Sequence, residues 1–204
     1  MRFSVIMPVC FEDYPGCATN RESKFIRAVN SFIRQLFPDA ELIIISDGSK
    51  RVEEIYQTIF AGYLNIKFIY LDKQILFSGK VRQAGLEIAK GEIICYLDAD
   101  DVFGLDHLVI INEEFKTDLY DWIYFDDVII TNPEHTANVV RETNVTPSQI
   151  GSSSIAHKRS LNVVWGDGYG HDWGVITNYL IGRPVTKIRT PQYYVCHIVG
   201  GFDV

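Results

Sequence analysis

Ile93-Ile94-Cys95-Tyr96-Leu97-Asp98-Ala99-Asp100-Asp101 is an apolar run that ends in three carboxylates within four residues. Such a run reads as a strand buried on both faces, as in a parallel sheet. Ligands of open sheets of that type collect just beyond the carboxyl ends of the strands, so the acids are expected at a site. Carboxylates packed together repel one another, and a divalent cation with its preference for hard oxygen ligands relieves the repulsion. Taken alone, the stretch predicts a divalent metal holding a phosphorylated ligand.

Working outward, the stretch is the last of four similar pieces. Phe3–Val9 reads as a strand ended by Pro8, and residues 10–22 as a loop. Phe25, Ala28, Val29, Phe32, Ile33 and Leu36 then recur at helical spacing until Pro38 stops the run. Residues 41–46 repeat the buried-strand pattern, with Asp47-Gly48-Ser49 as the exit turn. Residues 52–60 read as a helix, Ile66–Leu71 as a third strand, and residues 79–90 as a helix closed by Gly91. This alternation predicts an α/β fold with a mostly parallel sheet, right-handed crossovers and flanking helices.

Beyond Asp101 the pattern loosens into a smaller mixed region. Residues 105–115 read as a helix, and 122–130 as one strand carrying the acid pair Asp126-Asp127, of which alternation lets at most one face a site. Residues 131–149 are polar and fit a hairpin or a mobile loop. Residues 172–181 read as a short helix, with strands over 185–189 and 193–199.

The bulk numbers narrow the function. With 204 residues, 47% hydrophobic and 22% charged, the chain suits one domain with one good core. A net charge of −7 excludes a broad basic face for nucleic acid or an anionic membrane. Anionic ligands must be met locally, by a metal or by single Arg and Lys residues. Cys10, Cys17, Cys95 and Cys196 show no CxxC spacing, and the opening strand leaves no room for a signal peptide. No apolar run approaches membrane-span length. A cytoplasmic protein is expected, which makes the Asn144-Val145-Thr146 sequon accidental. Neither GxGxxG nor GxxxxGK[ST] occurs, and residues 10–16 do not form the Gly-rich basic loop of a nucleotidyltransferase.

Five motifs in order carry a family resemblance: 4–9 (SVIMPV), 31–35 (SFIRQ), 41–49 (ELIIISDGS), 82–85 (RQAG) and 91–101 (GEIICYLDADD). The chain resembles the inverting family 2 glycosyltransferases of the GT-A fold, strongly in residues 1–101 and by short motifs in 102–204. The resemblance implies transfer of a sugar from a nucleotide-sugar, expected to be a UDP-sugar, to a glycan, glycolipid or protein acceptor. It implies a single domain whose first half holds the nucleotide and whose second half holds the acceptor. Pro8 and Val9 would border the base, Asp47 would bond it, and Arg82 would support the nucleotide. Asp98-Ala99-Asp100 matches the DxD motif, with Asp98 toward the ribose or metal, Asp100 on a Mn²⁺ or Mg²⁺ ion, and His197 as a third ligand. In Gly170-His171-Asp172-Trp173, Asp172 would be the general base, while His171 stands where the family commonly has Glu. Residues 151–159 match a small-residue loop facing donor and acceptor. Arg51 and Gln83 replace a usual acid and a usual Asn. Any membrane attachment would go through a partner.

Bland readings exist for each residue: an N-cap for Asp172, an Asx-turn for Asp47, a surface bridge for Arg82, a core imidazole for His197. Two other functions fit parts of the chain. One is an inactive sugar-nucleotide- or carbohydrate-binding protein. The other is a haloacid dehalogenase-like phosphatase with Asp98 as nucleophile and Asp100 as acid, in which residues 129–131, Lys158, Asp167 and Asp172 imitate later motifs. The position of its motif on a fourth rather than a first strand weighs against it.

Overall fold

The computed structural model describes residues 1–14, 16–74, 77–130 and 138–197. Its elements follow in chain order. The first part runs β1 (Phe3–Val9), α1 (Arg21–Ile33), β2 (Ala40–Asp47), α2 (Lys50–Ile55), β3 (Ile66–Leu71), α3 (Gly79–Ile88) and β4 (Ile93–Tyr96). Then come β5 (Val102–Phe103), α4 (His107–Lys116), β6 (Trp122–Phe125), β7 (Asp127–Ile130), β8 (Asn138–Arg141) and β9 (Ile155–Lys158). α5 (His171–Val175), β10 (Val185–Ile188) and β11 (Tyr193–Val195) close the chain. α2 and α5 continue as π-helical turns over Tyr56–Phe60 and Ile176–Leu180.

The four apolar runs lie side by side. The main sheet has the order β10-β6-β9-β4-β1-β2-β3, and β9 alone runs antiparallel to its neighbours β4 and β6. Strand alternation divides its side chains between two cores. Phe3, Val5 and Met7 meet Phe25, Val29 and Phe32 of α1 and Leu108 and Ile111 of α4. Ile6, Ile43 and Ile45 meet Val81 of α3 and Val175, Ile176 and Leu180 of the α5 region. Each such burial stabilises the fold by roughly 1.5–3 kcal/mol. α3 lies close on the sheet because Gly85 has no side chain. A Cβ there would stand 2.8 Å from Ile45 and 2.9 Å from Ile6.

Pro8 does not end β1, which runs on to Val9 beside Ser46 of β2. The pairing of β1 with β4 stops at Ile6, so the N–H that proline lacks faces a side where no ladder bond is left to make.

Two other expectations need correcting. Residues 122–130 form two strands in two sheets, broken at Asp126: β6 joins the main sheet and β7 a small one ordered β5-β11-β7-β8. At the break the buried Asp126 carboxylate takes the Thr143 N–H (2.7 Å) and Lys187 Nζ (2.8 Å). Residues 151–159 are only partly a loop, because β9 is an interior strand of the main sheet. In the polar stretch 131–149 the hairpin alternative holds, since β8 pairs antiparallel with β7, and 131–137 lie outside the described residues. Positions 198–199 of the expected last strand also lie outside them.

Candidate functional site

Within the main sheet, β1 leads to β2 and β3 on one side while β4 lies on the other. The reversal opens a crevice at the carboxyl ends of β1 and β4, the place where such sheets bind ligands. A cavity of about 400 Å³ occupies it, lined by Pro8, Val9, Asp47, Arg82, Asp98, Asp100 and His197 together with Tyr14, Arg21, Ser78, Arg141 and Ser153. Every residue expected on the donor side therefore meets in one hollow. Asp172 lines a second hollow, with Asn144, Gln149 and Gly151, that shares Arg141 and Ser153 with the first.

Each acid after β4 has a distinct setting. Asp98 accepts from Arg82 Nη2 (2.8 Å), and its N–H donates to Tyr193 Oη (3.1 Å). Tyr193 donates in turn to Asp101 Oδ2 (2.9 Å), whose other oxygen takes the Cys196 N–H (2.9 Å). Asp101 is thus a buried structural link from the acid turn to β11. Burial, then Asp100 and Asp98, push its carboxyl well above the usual range. Burial and Asp98 likewise raise Asp100, against the pull of His197 and Lys24.

Arg82 is buried, and the sequence around it explains why. Burial disfavours its charge, but Asp98 and Asp172 outweigh that and raise its pKa. It sits 5.3 Å from the centre of the Trp165 ring and donates Nη1 to Ser78 Oγ and to His171 Nε2 (3.3 Å). Trp165 is fixed by its own N–H to Gln83 Oε1 (2.9 Å) and by its indole N–H to Tyr96 Oη (3.0 Å). Tyr96 meets His157 Nε2 (2.8 Å), and His157 Nδ1 meets the Lys158 carbonyl (3.0 Å). Gln83 therefore has a supporting role, and Arg51 an outer one, tied to Glu22 and Glu54. The reading of Arg82 as a surface bridge fails.

Asp47 is nearly buried, with Lys73 Nζ (2.7 Å) on one oxygen and the Gln74 N–H (2.6 Å) on the other. Each oxygen keeps a further lone pair, so these contacts do not exhaust the carboxylate as an acceptor. His197 reaches the cavity while Nε2 lies 2.9 Å from the Gly16 carbonyl. Among the described residues no three His, Cys, Asp or Glu side chains stand close enough to share one metal ion. Asp126 and Asp127 line neither hollow. The phosphatase constellation does not assemble either. Lys158 pairs with Asp118 and Asp121 beside Arg2 and Glu92, away from the cavity, and Asp167 pairs with Lys80.

Arg141 was not legible in the sequence, since it falls in the polar stretch without periodicity. It holds the fully buried Asp127 through Nε (2.9 Å) and Nη2, and extends between the two hollows. Arg141→Ala leaves that carboxylate unpaired. A loss of about 2 kcal/mol in urea unfolding is expected, largely recovered when Asp127→Leu is added, and an unchanged midpoint would contradict the pairing.

The family model for glycosyl transferase family 2 matches residues 4–174. The chain belongs to this family. A 93-residue stretch is 37% identical to an uncharacterised glycosyltransferase of Nostoc sp., covering 45% of the chain and 28% of that protein. A 110-residue stretch is 27% identical to the poly(ribitol-phosphate) β-N-acetylglucosaminyltransferase TarS of Staphylococcus aureus, covering 53% of the chain and 18% of TarS. The structure of a TarS fragment with UDP-GlcNAc aligns with a TM-score of 0.73 at 19% identity, over 96% of the chain and 58% of that fragment. The Pyrobaculum calidifontis mannosyltransferase PcManGT, solved with GDP-Man and Mn²⁺, aligns at 0.69 and 14% identity, over 95% of the chain and 56% of its own. At these identities the alignments establish the GT-A fold. The chain spans less than two thirds of each of these proteins. Among its described residues no helix is long and apolar enough to cross a membrane.

Proposed function

We propose that this family 2 chain is an inverting glycosyltransferase that takes a sugar from a nucleotide-sugar, a UDP-sugar by preference, and passes it to an acceptor hydroxyl. The observation that carries this reading is the union of Pro8, Val9, Asp47, Arg82, Asp98 and Asp100 around one cavity, with Asp172 in the hollow next to it. Residues 1–101 supply most of the donor side and residues 102–204 the acceptor side. The nucleotide would lie along the ends of β1 and β2, with the diphosphate near Asp98 and Asp100 and the sugar at Arg141 and Ser153, where the hollows join.

The reaction is then one displacement. Asp172 takes the proton of the acceptor hydroxyl, the oxygen attacks the anomeric carbon from the far side, and the bonding pair leaves with the diphosphate. One carboxylate oxygen of Asp172 is buried with no hydrogen-bond partner among the described residues, the state of a base awaiting a donor. The donor set fits a divalent ion: carboxylate oxygens of Asp98 and Asp100 on one cavity, with His197 at the same wall and Asp100 held above the usual range by burial and by Asp98. Bound there, Mn²⁺ or Mg²⁺ would offset charge gathering on the leaving diphosphate. Among the described residues fewer than three such side chains converge, so Asp98 and Asp100 would hold the ion, with His197 able to join them.

The acceptor would be a glycan, glycolipid or protein, and the name of TarS adds a polyol-phosphate polymer to these candidates. A place at the cytoplasmic membrane face, reached through a partner, would suit such an acceptor. Calorimetric titration tests the donor site. UDP should bind more tightly with Mn²⁺ than without, and Asp100→Ala should remove that difference, a loss of about tenfold or more in affinity. Binding indifferent to both would contradict the site.

A further inference from the structure

His171 occupies the seam between the donor arginine and the proposed base. Its Nδ1 lies 3.0 Å from the Gly168 carbonyl, which can only accept, so Nδ1 carries the proton. Its Nε2 lies 3.3 Å from Arg82 Nη1, which can only donate, so Nε2 presents its lone pair. The same Nε2 stands 3.4 Å from Asp172 Oδ1. A lone pair facing a carboxylate oxygen makes no bond, which explains how that oxygen stays buried and unpartnered. The other charged groups around the ring are Asp167 and its partner Lys80, with Asp98 behind Arg82. Trp165 and Phe77 supply the apolar walls.

We propose that His171 is a positioning residue that leaves Asp172 unpaired while neutral and captures it when protonated. The inference rests on the reading of Asp172 as the base. A proton taken up from solvent at Nε2 ends the bond from Arg82, since two donors then face each other. It creates an N–H already within reach of Asp172 Oδ1. The base is then held in an ion pair and Arg82 loses one of its three polar contacts, so proton transfer and donor binding weaken together. A carboxylate at this position would accept from Arg82 in the same way but would stay an acceptor throughout the range where imidazoles titrate. Histidine adds an acid-sensitive brake to an otherwise constant contact.

Nucleoside diphosphate release from a UDP-sugar, followed from mildly alkaline to mildly acidic pH, tests this. The wild-type rate should fall by about tenfold as the pH is lowered, while His171→Gln and His171→Glu, which keep an acceptor for Arg82, should hold most of their alkaline rate. An acid limb unchanged in both variants would overturn the inference, as would folded variants inactive at alkaline pH. If the variants do not fold, the imidazole nitrogen NMR signals of the wild type decide: an Nδ1–H tautomer supports the arrangement and an Nε2–H tautomer overturns it. Asp172→Asn separates the two readings. Retained turnover there removes the base itself, whereas lost turnover with an unmoved acid limb in the His171 variants removes only the brake.

Discussion

Asp172→Asn is expected to lower turnover by roughly 10²–10⁴-fold while nucleotide-sugar affinity stays within about twofold of wild type. The two quantities separate because Asp172 lines the second hollow and not the donor cavity. Asparagine keeps the size of the side chain and its place at the start of α5, but loses the ability to accept a proton. The charge it removes does help to hold Arg82 protonated, but Asp98 has the larger share of that effect. Single-turnover rates and equilibrium titration of the donor, measured on the same preparation, check both halves. Turnover within about threefold of wild type would refute the base role, and a large loss of donor affinity would mean that Asp172 belongs to the donor site.

The second large effect is on stability in acid. His107 and His157 are buried, and burial lowers their pKa values to about 3 and about 4. In the unfolded chain both take up a proton near the ordinary value of about 6.5. Their folded values are depressed, so the unfolded state binds protons first. The associated stability is complete above about pH 6.5 and is lost as pH falls toward about 4 and then about 3. The loss reaches several kcal/mol by about pH 4, comparable with the whole stability of a typical domain. Asp101, held above the usual carboxylate range, works in the opposite sense, so a difference measurement is needed. His107 provides it: the ring stacks on Phe103 at 4.1 Å and its Nε2 has no partner among the described residues. His107→Phe keeps the stack and should flatten the decline of unfolding free energy below about pH 6.5. Equal slopes in variant and wild type would contradict a neutral buried imidazole. His157 is the poorer choice, since removing it orphans Tyr96 and through it the Trp165 support of Arg82.

The parts of the fold written as repeated local patterns were legible. Each of β1 to β4 is an apolar run flanked by turn residues, and α1 and α3 carry their buried faces at helical spacing. The acid turn could be placed because a run of hydrophobes ending in carboxylates has few physical explanations. What escaped was set by distant partners. β9 is four residues long, and its interior place depends on β4 and β6, which lie far from it in sequence. The partners of Asp126 at the break are Lys187 and Thr143. Arg141 gains its role from Asp127 across a hairpin. His171 was visible only as a departure from a motif, and what the departure does required the position of Arg82, 89 residues away.

The most direct test is nucleoside diphosphate release from a panel of UDP- and GDP-sugars with Mn²⁺ or Mg²⁺, with water or a polyol phosphate as acceptor. At least one UDP-sugar should be consumed by the wild type, and its consumption should cease with the metal removed or with Asp172→Asn. Donors that bind yet are never consumed would make the chain a binding protein. Release of inorganic phosphate from p-nitrophenyl phosphate, with every nucleotide-sugar left intact, would contradict the transferase reading outright.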